Sequence, residues 1–132
     1  MKKLVFIAIF AVFFLITSIF CSAANRAVMV SKTANGDLEY LYIDSIRYNG
    51  DNVEYQTKYI FKNPSDELKK NNIAYVLNNM SINCATKEIT YVYATHFDSK
   101  NTIKGSFPYP PNKTPIDDNT ISGTKYQVLC KK

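Results

Sequence analysis

Between residues 27 and 61 the chain reads as short strand-like, tyrosine-rich runs, and from Val53 to Phe61 the side chains alternate with a period of two, the pattern of a strand that buries one face. Ala27 to Thr33 and Leu38 to Asp44 flank Asn35-Gly36, and Ile46 to Tyr48 and Val53 to Phe61 flank Asn49-Gly50, so two hairpins with type I′ turns are predicted. A two-residue turn at Asn35-Gly36 sets Val30 opposite Leu41, Val28 opposite Ile43 and Lys32 opposite Glu39. In the second hairpin Val53, Tyr55, Thr57, Tyr59 and Phe61 share one side. Residues 62–72 break the alternation with Asn63-Pro64-Ser65 and Lys69-Lys70-Asn71-Asn72, leaving room for one helical turn.

Pairing resumes with Val76, Asn78, Met80, Ile82 and Cys84 on one face of a strand, then Ile89, Tyr91, Tyr93, Thr95 and Phe97 on one face of the next. A two-residue turn at Thr86-Lys87 sets Cys84 opposite Ile89, Ile82 opposite Tyr91 and Met80 opposite Tyr93, which turns Cys84 toward the core. His96 then falls on the opposite face, in solvent. From Ser99 to Asn119 the prolines Pro108, Pro110, Pro111 and Pro115 predict a long ordered loop. In the tail Thr120 is suited to cap a helix from Ile121 to Leu129, yet Gly123 weakens that helix and Tyr126, Val128 and Cys130 alternate as in a strand. Local signals leave both forms open.

Ahead of this region Met1, Lys2 and Lys3 precede an apolar run from Leu4 to Ile16, and Ser22-Ala23-Ala24 supplies the small residues of a cleavage site. Residues 1–24 are therefore expected to be a signal peptide and residues 25–132 a single exported domain with no membrane span after cleavage. An uncleaved anchor is the alternative, because the apolar stretch continued to Phe20 reaches the lower limit of about 17 residues for a span. Cys21 is a poor lipidation site, preceded by Phe20 and with Ser18 where an aliphatic residue belongs.

All ten tyrosines follow the leader and there is no tryptophan, which strengthens the strand reading. The chain has 16 Lys and Arg against 11 Asp and Glu, a net charge of +5 that includes Lys2 and Lys3 of the leader. What remains is mild and dispersed. It suits acidic partners such as sulfated glycans and lacks the dense basic run of a nucleic-acid binder. Lys69-Lys70 and Lys131-Lys132 are the doublets beyond the leader, read first as solvated surface.

Without Cys21 the exported chain keeps two cysteines, Cys84 and Cys130, for which a disulfide is the default in an oxidising compartment. Closing a loop across the 46 positions that separate them is worth about 4 kcal/mol. Two thiols and the single His96 do not fill a four-ligand metal site, and no cofactor motif is present. Catalysis finds little to use: there is no Gly-x-Ser-x-Gly elbow, no His-Glu-x-x-His and no phosphate-cradling loop. Asp117-Asp118 reads as acid complementing a helix N-terminus. No catalytic residue is assigned and the protein is not expected to be an enzyme.

The chain resembles the bacterial surface-adhesin protein E family through Tyr42-Ile43-Asp44 with Ser45-Ile46, Gly50, Ser81-Ile82-Asn83-Cys84, and Pro115-Ile116 leading through Ser122-Gly123 and Lys125-Tyr126 to Val128-Leu129-Cys130. The likeness spans nearly all of residues 26–130, with a shortened stretch between Tyr42 and Ile46 and no tryptophan before Ile116. It implies an α+β fold: a curved antiparallel sheet of about six strands, with a C-terminal helix tethered to its concave face by Cys84–Cys130. It also implies an exported protein of the periplasm or cell surface that recognises host extracellular-matrix or serum proteins such as laminin and vitronectin. Lys69, Lys70, Phe107 and Tyr109 are the binding residues expected, lysines to steer and aromatics to anchor. A periplasmic enzyme inhibitor or stress-related protein is the alternative, and the exposed sheet edges leave a homodimer open.

Overall fold

The computed structural model describes residues 26–131, so the expected signal peptide lies outside the described residues. The strands are β1 (Ala27–Lys32), β2 (Leu38–Tyr42), β3 (Arg47–Asn49), β4 (Asn52–Ile60), β5 (Tyr75–Asn83), β6 (Glu88–Phe97), β7 (Ile103–Pro108) and β8 (Lys113–Pro115). Among the described residues two α-helices join them, α1 (Asp66–Lys70) and α2 (Ile121–Cys130). One antiparallel sheet runs in the order β1-β2-β4-β5-β6-β7, with β3 and β8 as short extra partners of β4 and β6.

The central strands alternate as their sequence demands. Val53, Tyr55 and Thr57 of β4 and Val76, Asn78, Met80 and Ile82 of β5 are buried on one side, the core face, while their neighbours face outward. The main cluster joins Leu41, Val53, Tyr55, Met80, Ile82, Ile89 and Ile116 to Leu129 of α2. A smaller one holds Ile73, Val76 and Ala94, with Phe61 and Leu68 against it.

The tail is helical. Thr120 caps α2 by accepting from Gly123 N–H at 3.2 Å. Gly123 itself answers a packing demand, because a Cβ there would stand 2.5 Å from the backbone oxygens of Asp117 and Asp118. Cys84 and Cys130 are bonded, with Cα atoms 5.5 Å apart, and α2 lies on the core face. Two tyrosines hold its C-terminal half as well: Tyr48 donates to Leu129 O at 3.1 Å and Tyr126 to Cys84 O at 3.2 Å.

Three turns depart from the expected geometry. Asn35-Gly36 does not close a two-residue turn: Gly36 N–H donates to Thr33 O and Thr33 N–H to Asp37 O, both at 2.9 Å, and only Gly36 takes positive φ. With a bulge at Val30, Val28 pairs with Leu41 and Ser31 with Glu39, in place of Val30–Leu41, Val28–Ile43 and Lys32–Glu39. The second hairpin is present, but Asn49 pairs with Asn52 and the turn is Gly50-Asp51, with Gly50 at φ 59°. In the third, Lys87 adopts φ 57° and Asn83 Oδ1 accepts from Ala85 and Thr86 N–H, a longer turn that pairs Ile82 with Ile89 and Met80 with Tyr91.

A bulge then inserts Val92 and reverses the alternation, so Ala94 and His96 lie opposite Asn78 and Val76 on the core face. His96 is thus half-buried on the core face and not on the outer face expected for it. The proline-rich stretch also carries strands in place of the long loop: β7 and β8 lie end to end along β6, and Tyr109 N–H donates to Val92 O at 2.9 Å between them. Prolines are tolerated because both strands lie at the sheet's edge.

Candidate functional site

At the β7 end of the core face a cleft of about 540 Å³ opens between α1 and the sheet. Its α1 wall follows from capping. Ser65 Oγ accepts from Leu68 N–H at 3.3 Å, the first turn holds Asp66 and Glu67, and the last turn holds Lys69 and Lys70, all in the sense the helix dipole favours. The helix stops where Asn72 takes φ 55°, with Asn72 N–H donating to Lys69 O and Ile73 N–H to Leu68 O. This is a Schellman ending, and its usual apolar contact is the packing of Ile73 with Leu68. The ending sends those two side chains down to the sheet and leaves Glu67, Lys70 and Asn71 on the cleft's wall.

The opposite wall comes from β6 and β7. Lys104 occupies a bulge, since His96 pairs with Gly105 and Phe97 with Ile103. The Phe107 ring lies back over Gly105, where a Cβ would stand 2.8 Å from Phe107 Cζ, and rests 5.1 Å from the His96 ring. Phe107 nevertheless keeps 54% of its surface exposed. Lys104 also contributes to holding Asp98 below the usual carboxylate range, although the chief cause there is Thr102 N–H, which Asp98 accepts at 2.8 Å. That bond sets the loop preceding β7. The result is an apolar floor with two lysines against one glutamate, suited to an acidic segment that carries an apolar side chain.

Of the residues expected to bind, Lys70 and Phe107 are brought together in this cleft. Lys69 turns away and pairs with Asp66 at 3.7 Å. Tyr109 lies elsewhere on the core face, edge-on to Tyr91 with centroids 5.4 Å apart and its hydroxyl 3.4 Å from Asn78 Oδ1. His96 was expected on the opposite, solvated face, and Lys104, Leu68 and Ile73 were not singled out in the sequence. For the last two the signal was available, an apolar pair bracketing Asn72 at Schellman spacing.

Beneath α2 lies a second polar assembly. Lys125 Nζ donates to Glu39 Oε1 at 2.6 Å, both side chains at least nine-tenths buried. Tyr55 packs in the same cluster, its hydroxyl without a hydrogen-bond partner among the described residues, and burial drives its pKa strongly upward. The pair fixes the helix to β2 and is closed to solvent. Among the described residues no group of three or more His, Cys, Asp or Glu could hold a metal ion, and no helix is long and apolar enough to cross a membrane.

Residues 28–131 match the family described as Surface-adhesin protein E. No curated protein and no solved structure matches the chain.

Proposed function

We propose, from the premise that this chain belongs to the surface-adhesin protein E family, that it is an exported, non-enzymatic binding domain. It acts at the cell surface and holds a segment of a host extracellular-matrix or serum protein in the cleft between α1 and β7. The cleft itself carries this reading: Leu68, Ile73 and Phe107 make an apolar floor beside Lys70 and Lys104. An anchor side chain buried on that floor supplies affinity and the lysines raise the rate of encounter.

The test is surface plasmon resonance on immobilised laminin and vitronectin across a range of salt. Binding is expected to weaken as salt rises, since the lysines are exposed and screened. Replacing Lys70 and Lys104 together by Ala lowers the on-rate, each lysine being worth no more than about 1 kcal/mol. Gly105→Ala displaces the Phe107 ring without altering any other side chain and raises the off-rate. Absence of binding to either protein at low salt, or binding indifferent to all three changes, contradicts the proposal.

A further inference from the structure

On the outer face, away from the cleft, lies a cavity of about 380 Å³ whose lining includes Ser45, Arg47, Glu54, Gln56, Asn79 and Tyr93. It forms where the sheet is interrupted on two sides. β2 and β3 lie end to end along β4, separated by a 3₁₀ turn at Ile43–Ser45, so Gln56 N–H finds no strand partner there and donates instead to Ser45 Oγ at 2.8 Å. Two strands away the Val92 bulge turns Tyr93 onto the outer face, opposite Asn79. The volume lies in the range of about 300–1,000 Å³ common to small-ligand sites.

The polar groups are held in place and only partly used. Arg47 Nη1 donates to the carbonyls of Asp44 at 2.9 Å and Ile46 at 2.8 Å, which fixes the guanidinium and leaves Nε and Nη2 for a ligand. Gln56 Nε2 donates to Asn79 Oδ1 at 3.0 Å, leaving Gln56 Oε1 as an acceptor and Asn79 Nδ2 as a donor. Glu54, directly opposite Arg47 across β3 and β4, has no ion pair among the described residues. Tyr93 is 42% exposed and offers its ring beside these groups.

Planar donors and acceptors alternating next to an exposed aromatic ring match one chemical class closely. A sugar ring presents vicinal hydroxyls that both donate and accept, together with an apolar C–H face that covers an aromatic side chain. The opposed charges of Arg47 and Glu54 select against ions: a sulfate or carboxylate meets Glu54, and an ammonium meets Arg47. We propose that this cavity binds a neutral saccharide unit, making the protein a glycan-binding module on its outer face. This site is independent of the cleft and of the reading given to it.

The experiment is saturation-transfer NMR and titration with the full-length protein in the form its cells produce. Two probes separate the sources of such a unit: lactose, which ends as host glycans do, and N,N′-diacetylchitobiose, which shares the N-acetylhexosamine of the bacterial wall. Saturation of the sugar C–H face by at least one probe is expected, with affinity reduced about tenfold or more in Tyr93→Ala and in Asn79→Ala. Glu54→Gln, a change at an exposed position, provides a variant whose folding is not in question and weakens binding in the same direction. The double Lys70 and Lys104 variant leaves it unchanged. No transfer to either sugar, or transfer undiminished by the Tyr93, Asn79 and Glu54 changes, overturns the proposal.

Discussion

Lys125 and Glu39 show how a single residue can be critical for a fold without being its main source of stability. Taking both charges out of water is offset by one 2.6 Å contact, and removing one partner strands the other. Lys125→Ala is expected to cost about 3–5 kcal/mol, while replacing Lys125 by Met and Glu39 by Leu together comes close to neutral. Urea unfolding of the three proteins checks this. Tyr55 gives the opposite case, a buried hydroxyl with no partner among the described residues. Tyr55→Phe is therefore expected to be neutral or mildly stabilising at pH 7. Its phenol has a folded pKa raised first by desolvation, then by Tyr91 and Glu39. A raised pKa contributes stability below the unfolded value of 10.0 and loses it as pH climbs above that value, so wild type should unfold in alkali more readily than Tyr55→Phe. Thermal melts between pH 7 and 11 report the difference.

At the scale of elements, α2 shows local propensity and tertiary demand pulling apart. Gly123 argues against a helix, and the alternation of Tyr126, Val128 and Cys130 imitates a strand. Gly123 is nonetheless required, because the Asp117 and Asp118 carbonyls crowd the space of a Cβ. Helix propensity predicts that Gly123→Ala stabilises by about 1 kcal/mol. The packing outweighs this, because the crowding atoms are backbone and do not swing aside, so a net loss of roughly 1–3 kcal/mol is expected in a thermal melt. Cys130→Ser is expected to cost about 4 kcal/mol and to expose α2 to protease, since the one covalent tether of its C-terminal half is lost and only two tyrosine hydrogen bonds remain beside it.

The strand faces of β4 and β5 were legible because a period of two is a backbone property that a core reads directly. The registers were not. Asn35-Gly36 announces a turn but not its length, and the left-handed Lys87 carries no signal that distinguishes two loop residues from four. The Val92 bulge was equally silent, and one inserted residue moved His96 from solvent to the core face. Of the cleft, Lys70 and Phe107 were readable as exposed charge and exposed ring. Their convergence depends on the Schellman ending and on Lys104's bulge, which exist only once the strands have paired.

For the whole molecule, the disulfide and the buried ion pair lock α2 over one end of the core face, and the cleft occupies the other end beside α1. In the proposed reading, a sheet so fixed holds the Phe107 ring and two lysines in place ahead of contact, which lowers the entropic cost of binding. The central claim is that this surface, on an exported protein, makes cells adhere. The direct measurement is adhesion of intact cells to laminin- and vitronectin-coated surfaces by a strain lacking the protein, complemented with wild type or with Phe107→Ser at equal surface display. Wild type is expected to restore adhesion and Phe107→Ser to leave most of it lost. Equal adhesion with and without the protein, or full restoration by Phe107→Ser, contradicts the account.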